Sequence, residues 1–248
     1  GWLACGVEDI GRLPHPEEIV TWLVEQLESQ ATIPALAGKK ILITAGGTQE
    51  AIDPVRYIGN RSSGKMGYSL AEEAYRAGAQ VTLVSAPTHL PQPTGVDFVP
   101  VSSAESMKEA VDARYDDVDV VIMAAAVADF RVVNAKDYKI KKMESMTLEL
   151  VKNPDILQGL GERKSHQILV GFAAETNDVL AYGMGKIEKK NLDMLVANDV
   201  SRKDAGFNVD TNEGYLLYPK QEKRVIPNMP KCAMARLILE AVGELIKD

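Results

Sequence analysis

The stretch ITAGGTQEAIDPVRYIGNRSSGKMG, residues 43–67, gathers side chains that can handle an anion. Thr48, Asp53, Arg56, Asn60, Arg61, Ser62, Ser63 and Lys65 lie among glycines in one connection. Glycines let backbone N–H groups approach a phosphate or carboxylate closely, and a following helix N-terminus adds partial positive charge. The spacing is neither G-x-G-x-x-G nor G-x-x-x-x-G-K-[ST], so neither the dinucleotide fingerprint nor the P-loop is present. A polar connection without function is the competing reading. Connections this long inside a compact domain are uncommon unless they act on something.

Two further groups carry chemistry. AAAVADF, residues 124–130, ends an apolar run with small side chains and then Asp129, either a ligand-binding group or a turn cap. Small residues at the carboxyl end of a strand leave room where open α/β sheets bind ligands. KIKK at 139–142 supplies three lysines, and Lys186 and Lys190 are four apart, on one helical face. Lysines suit a triphosphate as mobile point charges. A solvated charge run is the alternative for either cluster alone. No His/Cys/carboxylate spacing identifies metal ligands, which stay unknown.

The elements that must position these groups alternate. KKILITAGG, AQVTLVSAP, VDFVPVSS, DVDVVIMAAAV, HQILVGFAAE and LDMLVANDV have strand character; residues 66–78, SAESMKEAVDARY and DVLAYGMGKIEKK have helical character. The expected fold is α/β: a Rossmann-like open, mostly parallel sheet with helices on both faces. Residues 206–226 predict a C-terminal β-hairpin extension, and 230–247 an amphipathic closing helix. Residues 16–30 predict an N-terminal helix, followed by a proline-containing linker.

Bulk properties narrow the class. A chain of 248 residues with 46% hydrophobic and 25% charged residues has the make-up of a soluble globular protein with a sizeable core. A net charge of −7 argues against nucleic-acid binding, although local lysines can still hold a small anion. Aromatic content of 6% argues against stacking platforms. No run approaches the roughly 18 apolar residues of a membrane helix. Cys5 and Cys232 form no disulfide framework, and a reducing cytoplasm is the expected setting. The first residue is Gly rather than Met, as expected of a segment cut from a longer chain.

The motifs ITAGGTQEAIDPVRYIGNRSSGKMG, AAAVADF, KIKK, VKNPDIL, GFAAET and KKNLDMLVANDV follow one another across residues 38–200. In that order they closely resemble the synthetase half of the bacterial bifunctional phosphopantothenoylcysteine decarboxylase/synthetases. GWLACGVEDIGRLPHPEEI is similar to the end of the flavin-dependent half, where a cysteine at the position of Cys5 donates a proton. The resemblance implies that residues 1–37 are a decarboxylase tail plus linker and 38–248 a synthetase domain. FMN would belong only to the missing half, and no decarboxylase activity is expected.

It further implies a ligase of coenzyme A biosynthesis that joins 4′-phosphopantothenate to L-cysteine, using CTP and Mg²⁺ through an acyl-cytidylate. Carried over position by position, the nucleotide would meet Met123, Ala124, Ala125, Asp129, Lys139, Pro154, Asp155, Ile156, Leu157, Phe172, Lys186 and Lys190. Lys139 would stabilise charge at the phosphates. Asn60 would handle the acyl-cytidylate, with Arg56 and Ala126 beside it, while Gly46, Gly47 and Thr48 shape the floor. Residues 143–146, a short connection after the lysines, are expected to act as a mobile flap. A homodimer within a larger bifunctional assembly is also implied.

Two other classes make different demands. An NAD(P)-dependent oxidoreductase needs an acid at the tip of the second strand, where this chain has VSAPTHLP. A non-catalytic assembly subunit has no need of Lys139 and Asn60.

Overall fold

Residues 41–45 and 120–123 are buried without interruption, so both faces of their strands must be covered. The computed structural model shows how. It describes residues 15–17, 19–20, 32–175, 179–199, 211–219 and 222–247. The chain divides into two units, Gly1–Thr32 and Ile33–Asp248. In the first, residues 16, 17, 19 and 20 are helical; the rest of the expected 16–30 helix, and Cys5, lie outside the described residues.

The division falls ahead of the expected residue 38. Ile33 and Leu36 are buried, and Pro34–Leu36 forms a 3₁₀ turn against the last helix, so these residues serve the core of the second unit rather than a linker.

The second unit is built on an eight-stranded sheet. In chain order, the elements up to the sheet's centre are β1 (Lys40–Ala45), β2 (Gln49–Ala51), β3 (Tyr57–Gly59), α1 (Lys65–Arg76), β4 (Gln80–Ser85), β5 (Asp97–Pro100), α2 (Ala104–Asp112) and β6 (Val120–Met123). There follow β7 (Phe130–Val132), β8 (Leu150–Lys152), α3 (Ile156–Glu162), β9 (Ile168–Glu175), α4 (Val179–Lys190), β10 (Met194–Asp199), β11 (Thr211–Leu217), β12 (Arg224–Pro230) and α5 (Lys231–Lys247). Across the sheet the order is β12-β11-β10-β9-β6-β1-β4-β5. The six strands from β10 to β5 are parallel; β11 and β12 add antiparallel to one edge. The fold is the expected Rossmann-like one with its terminal hairpin, whose second strand runs on to Pro230.

Two cores follow from the period of two along each strand. Ile41 and Ile43 face Leu70, Ala71 and Ala74 of α1 and Ile238 and Leu239 of α5. Leu42 and Val84 face Met107 and Val111 of α2, Leu160 of α3 and Ile187 of α4. Each fully buried Leu or Ile contributes on the order of 1.5–3 kcal/mol. The chain leaves β1 toward β4 and β5, then returns to the far side at β6. The carboxyl ends of β1 and β6 therefore flank the point where the strand order reverses, the usual ligand crevice of such sheets.

Helix α1 sits hard against β1 there. A Cβ on Gly67 would lie 2.6 Å from the Ala45 Cβ and 2.9 Å from the Thr44 carbonyl oxygen. Gly67→Ala is expected to cost roughly 1–3 kcal/mol, a fall of about 3–10 °C in melting temperature. Gly159→Ala in α3, where a Cβ meets nothing within 4 Å, is expected to be neutral or stabilising. Equal melting shifts for the two variants would contradict this packing.

Candidate functional site

The loops that follow β1 and β6 are stitched together by backbone and threonine hydrogen bonds. Ala126 N–H donates to the Gly46 carbonyl at 2.8 Å, and Thr48 N–H to the Ala126 carbonyl at 3.2 Å. Gly47 and Ala126 form a parallel bridge. Thr44 Oγ1 accepts from Ala125 N–H at 3.1 Å, and Thr48 Oγ1 from Ala128 N–H at 2.9 Å. Both threonines are fully buried. Gly46 adopts φ 81°, and a Cβ there would lie 2.6 Å from the Ala86 carbonyl oxygen, so the turn requires glycine. Gly46, Gly47 and Thr48 thus set the geometry of the seam between the two loops, and none of the three lines either of the two cavities that open onto this frame.

Asparagines extend this frame. Asn60 Nδ2 donates to the Val127 carbonyl at 3.1 Å, drawing the end of β3 over the loop after β6. Asn153, buried, donates from Nδ2 to the Ala128 carbonyl at 2.8 Å, and its N–H donates to the Asp129 carbonyl at 2.8 Å. That holds the segment leading into α3 against the same loop. Asp155 caps α3 by accepting from Gln158 N–H.

A space of about 450 Å³ lined by Gly47, Thr48, Tyr57, Asn60 and His89 flanks this frame, and two further cavities open onto it. One, of about 320 Å³, lies between residues 60–67, the end of β6, β9, β10, β11 and the start of α5. The other, of about 220 Å³, lies between the end of β6 and residues 152–157. They share Ala125, Val127, Asp129 and Phe172, so the two spaces adjoin along one wall.

The candidate nucleotide residues distribute over these two spaces. Met123, Pro154, Asp155, Ile156, Leu157 and Lys190 line the smaller cavity, and Ala124 and Lys186 the larger. Asn60 and Ala126 line the larger cavity as well. Lys186 and Lys190, on one face of α4, therefore point into different compartments. Lys190 Nζ is 2.9 Å from Asp155 Oδ2, so an incoming phosphate would have to compete with that carboxylate.

Arg56 and Lys139 are not brought to either cavity. Arg56 pairs with Asp53 and donates to the Ile140 carbonyl. Lys139 lines a separate space of about 560 Å³ beneath residues 134–149, with Ile52, Tyr138 and Met146. The lysine-bearing segment is the loop of a hairpin whose stem is β7 and β8, longer than the expected flap at 143–146. The stem strands are three residues each, too short for alternation to reveal.

The larger cavity also contains residues the sequence did not single out. Asn198, Asn212 and Lys231 line it from β10, β11 and α5. Lys231 is only 6% exposed and opens α5, where a cation runs against the helix dipole. That misplacement was the available signal. Lys65 likewise opens α1 and lines the same cavity.

The fold agrees with the comparisons to known proteins. Residues 36–245 match the family model described as the DNA/pantothenate metabolism flavoprotein C-terminal domain. The chain belongs to this family. It is 50% identical over its whole length to the coenzyme A biosynthesis bifunctional protein CoaBC of Bacillus subtilis, and 46% identical over 99% of its length to that of Vibrio vulnificus. It spans 61% of the length of each. The crystal structure of a CoaBC C-terminal domain superposes with TM-score 0.75 at 44% identity, covering 87% of this chain and all of that one. A Cab2 variant in complex with phosphopantothenate-cysteine shares the fold, with TM-score 0.66 at 17% identity, covering 94% of this chain and 96% of that one.

Burial pushes the Asp155 carboxyl up, but the hydrogen bonds from Lys190 and Gln158 N–H and the charges of Lys190 and Lys152 outweigh it and hold it below the usual range. A depressed folded pKa gives stability that is present above the unfolded value of about 3.9 and is lost as pH falls through the folded value. Asp155→Asn keeps the cap and removes the charge. It is expected to cost roughly 1 kcal/mol at pH 7 in urea unfolding, with the difference narrowing toward pH 3. A difference that stays constant would contradict the pairing.

Proposed function

We propose that this chain is a CTP-dependent ligase that condenses 4′-phosphopantothenate with L-cysteine, releasing pyrophosphate and CMP. The observation that carries the proposal is the meeting of two cavities at Ala125, Val127, Asp129 and Phe172, with Asn60 lining the larger one and bonded to Val127. A ligase that first activates a carboxylate needs a nucleotide and an acid held end to end, and this arrangement supports both. The nucleotide occupies the smaller cavity and extends past the shared wall toward Lys186. The acid occupies the larger, its phosphate toward Lys65 and Lys231, two cations at helix N-termini.

A carboxylate oxygen of the acid attacks the α-phosphorus of CTP, and the bond from that phosphorus to the bridging oxygen breaks, releasing pyrophosphate. The neutral amine of cysteine then attacks the acyl carbon of the mixed anhydride. CMP departs with the anhydride oxygen, and the amine proton passes to solvent. Holding the reacting atoms in place supplies much of the rate, because alignment replaces lost translational freedom. Asn60 Nδ2 donates a hydrogen bond toward the acyl carbonyl. Lys139 balances phosphate charge when the flap closes, and Arg56 acts with it from the flap's base. The choice of CTP over ATP rests on the resemblance of the motifs.

Among the described residues no three His, Cys, Asp or Glu side chains form a metal cluster. Mg²⁺ normally rides on substrate phosphates with one or two carboxylates, and Asp129 at the shared wall fits that role. Held there, a Mg²⁺ ion would offset triphosphate charge and polarise the α-phosphoryl group. Exposed Phe130, Tyr138, Met143, Met146 and Leu150 on the flap hairpin support a homodimer. The FMN-dependent half, with Cys5 at its end, completes the proposed bifunctional assembly in the cytoplasm.

The test follows pyrophosphate and amide product together, with CTP, Mg²⁺, 4′-phosphopantothenate and cysteine. Pyrophosphate release is expected; none from folded protein would sink the proposal. Asn60→Asp is expected to release pyrophosphate while amide formation falls by about a hundredfold, the scale for loss of one donor to a reacting oxygen. Equal loss of both steps would refute the role of Asn60.

A further inference from the structure

Asp53 lies in the turn of the β2–β3 hairpin and is 3% exposed. A carboxylate buried to that degree must have its oxygens filled. Oδ1 accepts from Val55 N–H and Arg56 N–H, both at 2.9 Å, an ordinary turn arrangement. Oδ2 does something else. It accepts from Arg56 Nε at 3.0 Å and from Ile140 N–H at 3.1 Å, reaching 87 residues along the chain into the flap. Arg56 Nη2 in turn donates to the Ile140 carbonyl at 2.9 Å, so both backbone polar groups of Ile140 are held. Lys136 N–H donates to the Ile52 carbonyl at 2.9 Å beside it.

Ile140 sits between Lys139 and Lys141. The same hairpin runs through β3 directly into Asn60. We propose that Asp53 is a positioning residue that, through Ile140, ties the lysine-bearing flap to the hairpin presenting Asn60 to the cleft. Its ion pair with Arg56 keeps the carboxyl well below the usual range, against the opposing effect of burial, so the tie holds at every ordinary pH. A plain turn cap would need only Oδ1. The contact at Oδ2 fixes where the lysines begin their reach, which neither the cavities nor the sheet determines.

The fixing of the flap can be tested without substrate, so its failure is distinct from failure of the ligase proposal. In the full chain, Asp53→Asn replaces an acceptor with an N–H₂ group facing Ile140 N–H. Cleavage by trypsin after Lys141 and Lys142, followed by mass spectrometry, is expected to accelerate about ten- to a hundredfold, the scale for a lost hydrogen bond to a charged group. Ile140→Pro removes the donor from the flap side and is expected to do the same, which covers the case in which Asp53→Asn does not fold. Unchanged cleavage in a folded variant overturns the proposal. If wild type releases pyrophosphate, Asp53→Asn is expected to lower kcat about tenfold or more while KM for the acid stays within about threefold. Faster cleavage with unchanged kcat overturns the positioning role.

Discussion

The site depends on one constraint: the loops after β1 and β6 must be locked to each other where the strand order reverses. Neither loop has a regular partner beyond the sheet, and unpaired backbone groups near the core are costly. The bridge between Gly47 and Ala126, and the buried hydroxyls of Thr44 and Thr48, remove that cost by pairing the loops with one another. Everything else hangs from this seam. Asn60 reaches Val127, Asn153 reaches Ala128, and α3 begins where Asn153 fixes it. Gly67 lets α1 come close enough to bring Lys65 to the cavity.

Charge is arranged on this frame against the sign of the whole chain. The net charge is −7, yet Lys65, Lys186 and Lys231 line one cavity and Lys152 and Lys190 the other. Asp129 is the carboxylate at the shared wall, and Asp155 is already engaged by Lys190. A low-dielectric wall strengthens these interactions relative to water. Lys231 is the clearest case. It is 6% exposed at the N-terminus of α5, where desolvation and the helix dipole both oppose a cation.

The sheet, its crossovers and most of the cleft were legible in the sequence because they follow from period and contiguity. Apolar runs ending in glycines or small alanines mark strand ends, and Lys186 with Lys190 is a helical spacing. The short pairs β2–β3 and β7–β8 were not legible, since three residues carry no alternation. Lys231, Asn198 and Asn212 come from distant elements that only the fold brings together. Arg56 and Lys139 show the converse. Their motifs were plain, but their placement depends on a hydrogen bond between Asp53 and Ile140 that no local pattern announces.

In the proposed reaction two ligands share one cleft and meet at Ala125, Val127, Asp129 and Phe172. A crystal structure with 4′-phosphopantothenate and a non-cleavable CTP analogue tests it most directly. The nucleotide is expected against Met123, Ala125 and Pro154, with its α-phosphorus about 3–3.5 Å from the acid's carboxylate, the separation of a near-attack pair. The two ligands competing for one cavity, or the nucleotide lodged in the space formed by Gly47, Tyr57 and His89, would contradict it.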